Sequence, residues 1–288
     1  MTEWKARGRT IVDPGCAPPR IMGIVNVTPD SFSDGGRTSA EAAVQHAREL
    51  IAEGADILDL GGESTRPGSL PVTLDEELHR LVPVVERLAD EEGPPLSIDT
   101  SKAEVARRLL ALGAVVVNDV TALRGDPDMA GVVAEAGAGV VLMHMQGDPR
   151  TMQDDPRYDD VIGEVLAFLE ERIAWSEARG IPRANIAVDP GIGFGKSFEH
   201  NLDLLRNLGR FASLGCAVVV GTSRKGFLGR ITGRAVRERA VASAVSSLAA
   251  CAAGAAVARV HDVAAMADAI RVWGAVRGWS ACDERAGG

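Results

Sequence analysis

An α/β chain closing into a single (β/α)8 barrel with a short N-terminal extension is the architecture predicted by this sequence, on three observations. Short runs of Val, Ile, Leu and Ala recur without alternation, a longer helix-like segment follows each, and there are eight such pairs in 288 residues. A run with no polar face belongs to a strand buried on both sides, as in parallel sheets. Eight units over this length take about 36 residues each, and a barrel of this kind needs roughly 250 residues in all. A doubly wound open sheet is the alternative built from the same alternation.

Pro14, Gly15, Pro18 and Pro19 mark an extension over 1–19, expected beneath the barrel's bottom, before a first strand over 21–27. The first helix, 40–53, has Ser39 as its cap and Gly54 as its stop. A second strand, 57–60, leads to a helix over 74–90, and a third, 96–98, to one over 103–112 capped by Ser101 and stopped by Gly113. The fourth strand, 115–118, precedes a helix over 128–136 ending at Gly137; the fifth, 140–143, precedes one over 158–179 ending at Gly180. The sixth, 186–188, is followed by 199–207, the seventh, 217–220, by the Ala-rich 236–253, and the eighth, 256–260, by 263–276. The barrel is thus one domain over 20–280, with a small polar tail, 281–288, expected to fray.

Hydrophobic residues make up 46% and charged residues 25%, as in an ordinary globular chain with a full core. The first ten residues are polar and lack the apolar stretch of an export signal, so a cytoplasmic location is expected. The most apolar region, 240–260, is Ala- and Ser-rich, contains Gly254 and carries Arg239 and Arg259, which fits packed helix then strand better than a membrane span. Four scattered cysteines without a CxxC pair point to a reduced compartment and no zinc site. A net charge of -9 argues against a general nucleic-acid surface, so any anionic ligand must meet a local basic pocket.

In such barrels functional groups project from the C-terminal ends of the strands. Here those ends carry Asn26, then Gly61 to Arg66, Asp99, Asn118 and Asp119, His144, Asp189, Ser223 to Lys225, and Arg259 with His261. An Asp after a strand is often only a helix cap, but polar groups at all eight ends ask for more. Asp99, Asn118 and Asp189 suit a heterocycle offering amide and amine donors, whereas Arg66, Lys225, Arg259 and His261 suit an anion. His144 reads as a packing residue beneath the site. The loops over 28–36 and 63–68 consist of turn residues and are expected to act as lids.

Gly195-Lys196-Ser197 matches the end of a phosphate-binding loop, but the first glycine of that motif would fall on Pro190, and the strand before it ends in an Asp that a triphosphate would repel. No GxGxxG follows a strand, which disfavours a nicotinamide cofactor.

The segments Asn-Val-Thr-Pro-Asp-Ser-Phe-Ser-Asp-Gly-Gly (26–36), Gly-Gly-Glu-Ser-Thr-Arg-Pro-Gly (61–68), Ser-Ile-Asp-Thr (97–100), Asn-Asp-Val (118–120), His-Met-Gln-Gly (144–147), Asp-Pro-Gly-Ile-Gly-Phe-Gly-Lys (189–196), Ser-Arg-Lys (223–225) and Arg-Val-His-Asp-Val (259–263) resemble those of the dihydropteroate synthases. The resemblance runs from about Ile21 to Gly278. It implies condensation of 6-hydroxymethyl-7,8-dihydropterin pyrophosphate with 4-aminobenzoate, Mg2+ as cofactor, and a homodimer packed through late helices, with no nucleic-acid or membrane partner. Carried over by position, Asp99, Asn118, Asp189 and Lys225 would hold the pterin; Asn26, Arg66, Arg259 and His261 the pyrophosphate, Asn26 also the metal. Thr65, Pro67, Phe194, Ser223, Arg224 and Gly226 would line the aminobenzoate pocket with Phe32. Asp30, Asp99, Asp189 and Lys225 form the implied catalytic set.

Once its charge is neutralised, pyrophosphate leaves readily, so a dissociative displacement through a pterin methylene cation needs no protein nucleophile. Carboxylates at 99 and 189 would stabilise that cation. The sequence departs from many relatives at Gly226, where a Ser commonly stands. One neutral hydrogen bond is worth about 0.5 to 1.5 kcal/mol, so the expected effect is confined to the KM for aminobenzoate. An uninterrupted first loop predicts competitive inhibition by sulfonamides. A methyltetrahydrofolate-dependent methyltransferase domain would share the pterin readers but not the cationic set, and a silent pterin-binding paralogue draws only on Gly226.

Overall fold

The computed structural model describes residues 2–15, 18–28, 39–64, 68–148 and 151–278. Eight parallel strands, β3 (Arg20–Asn26), β4 (Ile57–Gly61), β5 (Leu96–Asp99), β6 (Val116–Asp119), β7 (Gly139–Met143), β8 (Ile186–Asp189), β9 (Ala217–Val220) and β10 (Val257–Val260), pair in chain order. The last pairs with the first, Ala258 opposite Ile21, so the sheet is closed and the open-sheet alternative is excluded. Every residue of β4, β5, β6, β7, β8 and β9 is buried, which is why their sequences show no alternation.

The outer ring comprises α1 (Ser39–Glu53), α2 (Leu74–Ala89), α3 (Ala103–Ala111), α4 (Met129–Ala136), α5 (Val161–Glu177), α6 (Phe198–Arg206), α7 (Gly226–Thr232), α8 (Ala240–Ala252) and α9 (Val263–Arg277). In α2 the buried Leu81, Val84, Val85 and Leu88 fall at helical spacing, and the Thr73 hydroxyl accepts from the Glu76 amide at 3.3 Å to start the first turn. Gly137 ends α4 with φ 59, a left-handed stop that an L side chain resists. None of the described helices is long and apolar enough to cross a membrane.

Three local readings differ from the structure. Ser101 does not cap α3: Lys102 holds the cap position, and the Ala103 amide bonds Asp126 Oδ2 at 2.9 Å from the neighbouring loop. The helix expected over 236–253 begins at Ala240, because a 3-10 turn over Val236–Glu238 precedes it. The short α7 was not expected; it starts directly after Lys225 and is seven residues long, too short to show a period.

Ahead of the barrel, β1 (Trp4–Ala6) and β2 (Arg9–Val12) form an antiparallel hairpin. Arg7 and Gly8 turn it with φ of 49 and 77, the two-residue geometry that matches strand twist. The Arg7 amide bonds the Gly137 carbonyl at 2.7 Å, its guanidinium bonds those of Leu110 and Ala114 at 2.8 and 3.1 Å, and the fully buried Trp4 donates to Asn185 O at 3.1 Å. These carbonyls lie ahead of β6, β7 and β8, so the hairpin closes the N-terminal end of the barrel and leaves the opposite end open. Among the described residues, Cys216 and Cys251 are buried and unpaired.

Candidate active site

Parallel registry brings the polar strand ends to one level: Asn26 lies opposite Gly61, Gly61 opposite Asp99, Asp99 opposite Asn118, and Met143 opposite Asp189. Inside this ring Asp99, Asn118, Asp189, Lys225 and Arg259 line one cavity with Val120, Met143, Ile192, Phe194 and Gly221. Its edge is polar and its walls are apolar. Val120, Met143 and Phe194 belong with Met145 and Met152 to an apolar cluster separate from the main core, confined to this end of the barrel. A second, larger hollow lies across Asp99, bounded by Glu63, Glu77, Thr121 and Asp148.

A residue not expected from the sequence organises the floor. Asp59, wholly buried in the middle of β4, accepts from Ser97 Oγ at 2.6 Å, Asn118 Nδ2 at 3.0 Å and Arg259 Nε at 2.6 Å. Arg259 also bonds Asp99 Oδ2 at 2.7 Å through a terminal nitrogen. The structure therefore places Arg259 among the heterocycle residues rather than apart from them with His261. A charged residue inside the apolar run Ile57-Leu58-Asp59-Leu60 was the one available signal for Asp59.

The charges here are strongly shifted. Burial raises the Asp99 carboxyl to about 7 against the pull of Arg259, with Asp59 and Glu77 adding to the rise. Burial likewise raises Asp189, opposed by the Gly191 amide, 2.7 Å from Oδ1, and by Lys225. Lys225 is lowered to about 8 by burial despite Asp189, and its ammonium stands 3.9 Å over the Phe194 ring. For Arg259 burial works against the charge, but Asp59 and Asp99 outweigh it and the net shift is upward. Asp99 and Lys225 are thereby brought near neutrality, where small changes alter protonation, while Arg259 keeps its charge.

Other expected residues occupy the rim. Ser223 Oγ accepts from the His261 amide at 3.1 Å and lies 3.0 Å from His261 Nδ1, joining the ends of β9 and β10. Arg224, at φ 57, spends its guanidinium on Asp262 at 3.0 and 2.5 Å, so its side chain braces the rim. Gly226 opens α7, and a Cβ there would meet nothing within 4 Å, so a serine would fit. Asp119 is taken up by Thr121 and Leu123, shaping its own turn. His144 faces Phe168 edge-on at 4.8 Å and Lys196 at 2.8 Å, lowered to about 3 by burial and then by Lys196. Asp30, Phe32, Thr65, Arg66 and Pro67 lie outside the described residues.

Comparison with known proteins gives a consistent result. The family described as pterin binding enzymes matches residues 22–261. The dihydropteroate synthase of Neisseria meningitidis serogroup B is 47% identical over 269 residues, covering 91% of this chain and 94% of that protein. A Xanthomonas albilineans dihydropteroate synthase solved with 4-aminobenzoic acid is similar at a TM-score of 0.89 with 48% identity, over 97% of this chain and 100% of that one. The same organism's enzyme in complex with 7,8-dihydropteroate gives a TM-score of 0.86 and 46% identity, over 96% and 100%.

Proposed function

The chain belongs to the pterin binding enzyme family, and from that premise we propose that it is a dihydropteroate synthase, joining 6-hydroxymethyl-7,8-dihydropterin pyrophosphate to 4-aminobenzoate with release of pyrophosphate. One observation carries the reading: a cavity with Asp99, Asn118, Asp189, Lys225 and Arg259 on its polar edge and Val120, Met143, Ile192 and Phe194 on its walls, the surroundings a flat heterocycle rich in hydrogen-bonding groups requires.

The chemistry fits a dissociative displacement. The carbon–oxygen bond to pyrophosphate breaks, its electrons leave with the phosphate oxygen, and positive charge spreads from the methylene carbon into the pterin ring. Asp99 and Asp189, both lining the cavity, would face the ring as that charge develops, and their negative forms would favour it more than the neutral ground state. The arylamine nitrogen then supplies the pair for the new carbon–nitrogen bond and loses a proton to the departing phosphate or solvent. No side chain attacks carbon. Lys225 and Arg259 balance the carboxylates before substrate arrives, and His261 with Arg66 would receive the anionic leaving group.

Mg2+ suits this donor set. Asn26 offers one hard oxygen at the end of β3, and a magnesium ion takes few protein ligands when substrate phosphates and water supply the rest. Bound there, it would neutralise charge on the pyrophosphate oxygens. A homodimer through α8 and α9 is supported by their exposed valines, Val241 and Val245 on α8 and Val272 and Val276 on α9.

The test is pyrophosphate release from the pterin substrate with Mg2+, with and without 4-aminobenzoate, for wild type and Lys225→Ala. Release that depends on the amine and falls by about 100-fold or more in the variant supports the reading. Pterin binding without amine-dependent release refutes it. The same assay is expected to show sulfonamides competing with 4-aminobenzoate.

A further inference from the structure

The loops after β7 and β8 run against each other backbone to backbone. A Cβ at Gly191 would stand 1.9 Å from the His144 carbonyl oxygen, and one at Gly195 would stand 2.3 Å from that of Gln146; both glycines have left-handed φ, +70 and +63. Glycine permits this approach without driving it, since carbonyl oxygens pointing into a shared space repel. The attraction comes from Lys196, a 2% exposed residue outside the described chemistry. Its Nζ donates to Phe194 O at 2.9 Å and His144 O at 3.2 Å, and lies 2.8 Å from His144 Nδ1. An ammonium has three protons and finds three acceptors, provided His144 is neutral with its own proton on Nε2.

We propose that Lys196 is a positioning residue for the amine half of the reaction: by clasping the 191–196 turn to the loop after β7 it fixes Phe194, and the Lys225 ammonium stacked on that ring, at the rim where 4-aminobenzoate enters. Gly193 transmits the constraint, because its Cα lies against the Lys225 stem, where an added Cβ would come within 3.0 Å of Cδ. Tyr158 Oη and Gln153 Nε2 brace the same turn from outside, on Gly195 O at 2.8 Å and Gly193 O at 2.7 Å, but neither reaches Phe194 O. The inference rests on the proposed function.

The groups facing Lys196 are Asp189 and Lys225 from the cavity side and neutral His144 from the loop after β7. Burial brings the Lys196 ammonium down to about 7 against Asp189, with Lys225 adding to the fall. All three bonds are therefore in place below neutrality, and one is lost as the pH rises.

Steady-state kinetics on Lys196→Met and Lys196→Gln, in the full chain with Mg2+ at neutral pH, decide it. In Lys196→Met the KM for 4-aminobenzoate rises about tenfold or more and kcat stays within about threefold, while the KM for pterin pyrophosphate rises less, because Asp99, Asn118, Asp189 and Arg259 still hold the heterocycle. Lys196→Gln, which keeps two donors, recovers part of the loss. Wild-type KM for the amine rises between about pH 7 and 9, and the rise is smaller in Lys196→Met, where Lys225, lowered to about 8, still titrates. Unchanged kinetics in a folded Lys196→Met, or equal losses for both substrates, overturn the proposal. Should Lys196→Met not fold, Lys196→Gln is read by the same criteria, and a flat wild-type pH profile also counts against the clasp. Absence of amine-dependent turnover in wild type overturns the functional reading instead.

Discussion

Asp59 touches two of the groups that define the cavity, Asn118 and Arg259, without lining it. A carboxylate only accepts, so Asn118 must give its Nδ2 to Asp59 and turn its oxygen toward the ligand as an acceptor; the same carboxylate holds Arg259 by Nε so that a terminal nitrogen meets Asp99. Asp59→Asn keeps the shape and removes the charge. Its amide nitrogen can face Ser97 while its oxygen accepts from Asn118 and Arg259, so the fold survives and Arg259 loses one counter-ion. A charge-assisted hydrogen bond is worth about 1.5 to 3 kcal/mol, so kcat/KM for pterin pyrophosphate is expected to fall about 10- to 100-fold with little change in Tm. A value within twofold of wild type would show that Asn118 and Arg259 need no such anchor. The contrast with Asp99, Asn118 and Asp189 explains what the sequence discloses at this scale. Those three are polar groups at strand ends, where topology assigns them to the open face. Asp59 and Lys196 matter through partners up to 200 residues distant, reached across a closed barrel, and no local pattern encodes that.

Among the elements, eight strands and most helices were legible because burial on both faces and helical spacing leave separate marks on sequence. The N-terminal hairpin left none. It turns on Arg7-Gly8, not on the Asn-Gly or Asp-Gly pair that advertises such a turn, and its strands are three and four residues long. Ser101 failed as a cap because Asp126, from the loop after β6, reaches the free Ala103 amide first. The 189–196 loop carries the opposite lesson. Its glycines looked like a phosphate loop, yet they are needed for contact with the chain itself. Gly191→Ala puts a methyl into the His144 carbonyl at a left-handed φ, whereas Gly226→Ala meets open space at a helix start. Backbone strain of about 1 to 3 kcal/mol, before any clash is relieved, lowers Tm by at least several degrees in Gly191→Ala, and Gly226→Ala stays close to wild type. Differential scanning calorimetry showing equal Tm for the two variants would remove the close approach from the account.

At the scale of the whole molecule the net charge of -9 and an anionic substrate are compatible, because Lys225 and Arg259 line the cavity at the open end of the barrel. On α8 Val241 and Val245 are 76% and 63% exposed, and on α9 Val272 and Val276 are 65% and 80% exposed. Each pair is four residues apart, so each forms a stripe on its helix, and α8 packs against α9. In sequence the α8 region is only Ala- and Ser-rich, compatible with packing in either direction, and the placement of α9 and the barrel reveals which side is left over. A specific homodimer buries roughly 800 Å² per partner, an area two adjacent helices can supply. Light scattering should therefore give about twice the 30.2 kDa of one chain. Placing a charge in the centre of the stripe with Val245→Glu, and on the second helix with Val276→Glu, should yield a monomer, since an unpaired buried carboxylate costs several kcal/mol at an interface and almost nothing in water. Both valines lie far from the cavity, on helices that follow β9 and β10, so the monomer should keep its pterin affinity. A wild type that elutes as a monomer at micromolar concentration, or a double variant that remains dimeric, would remove this flank from consideration as the contact between subunits.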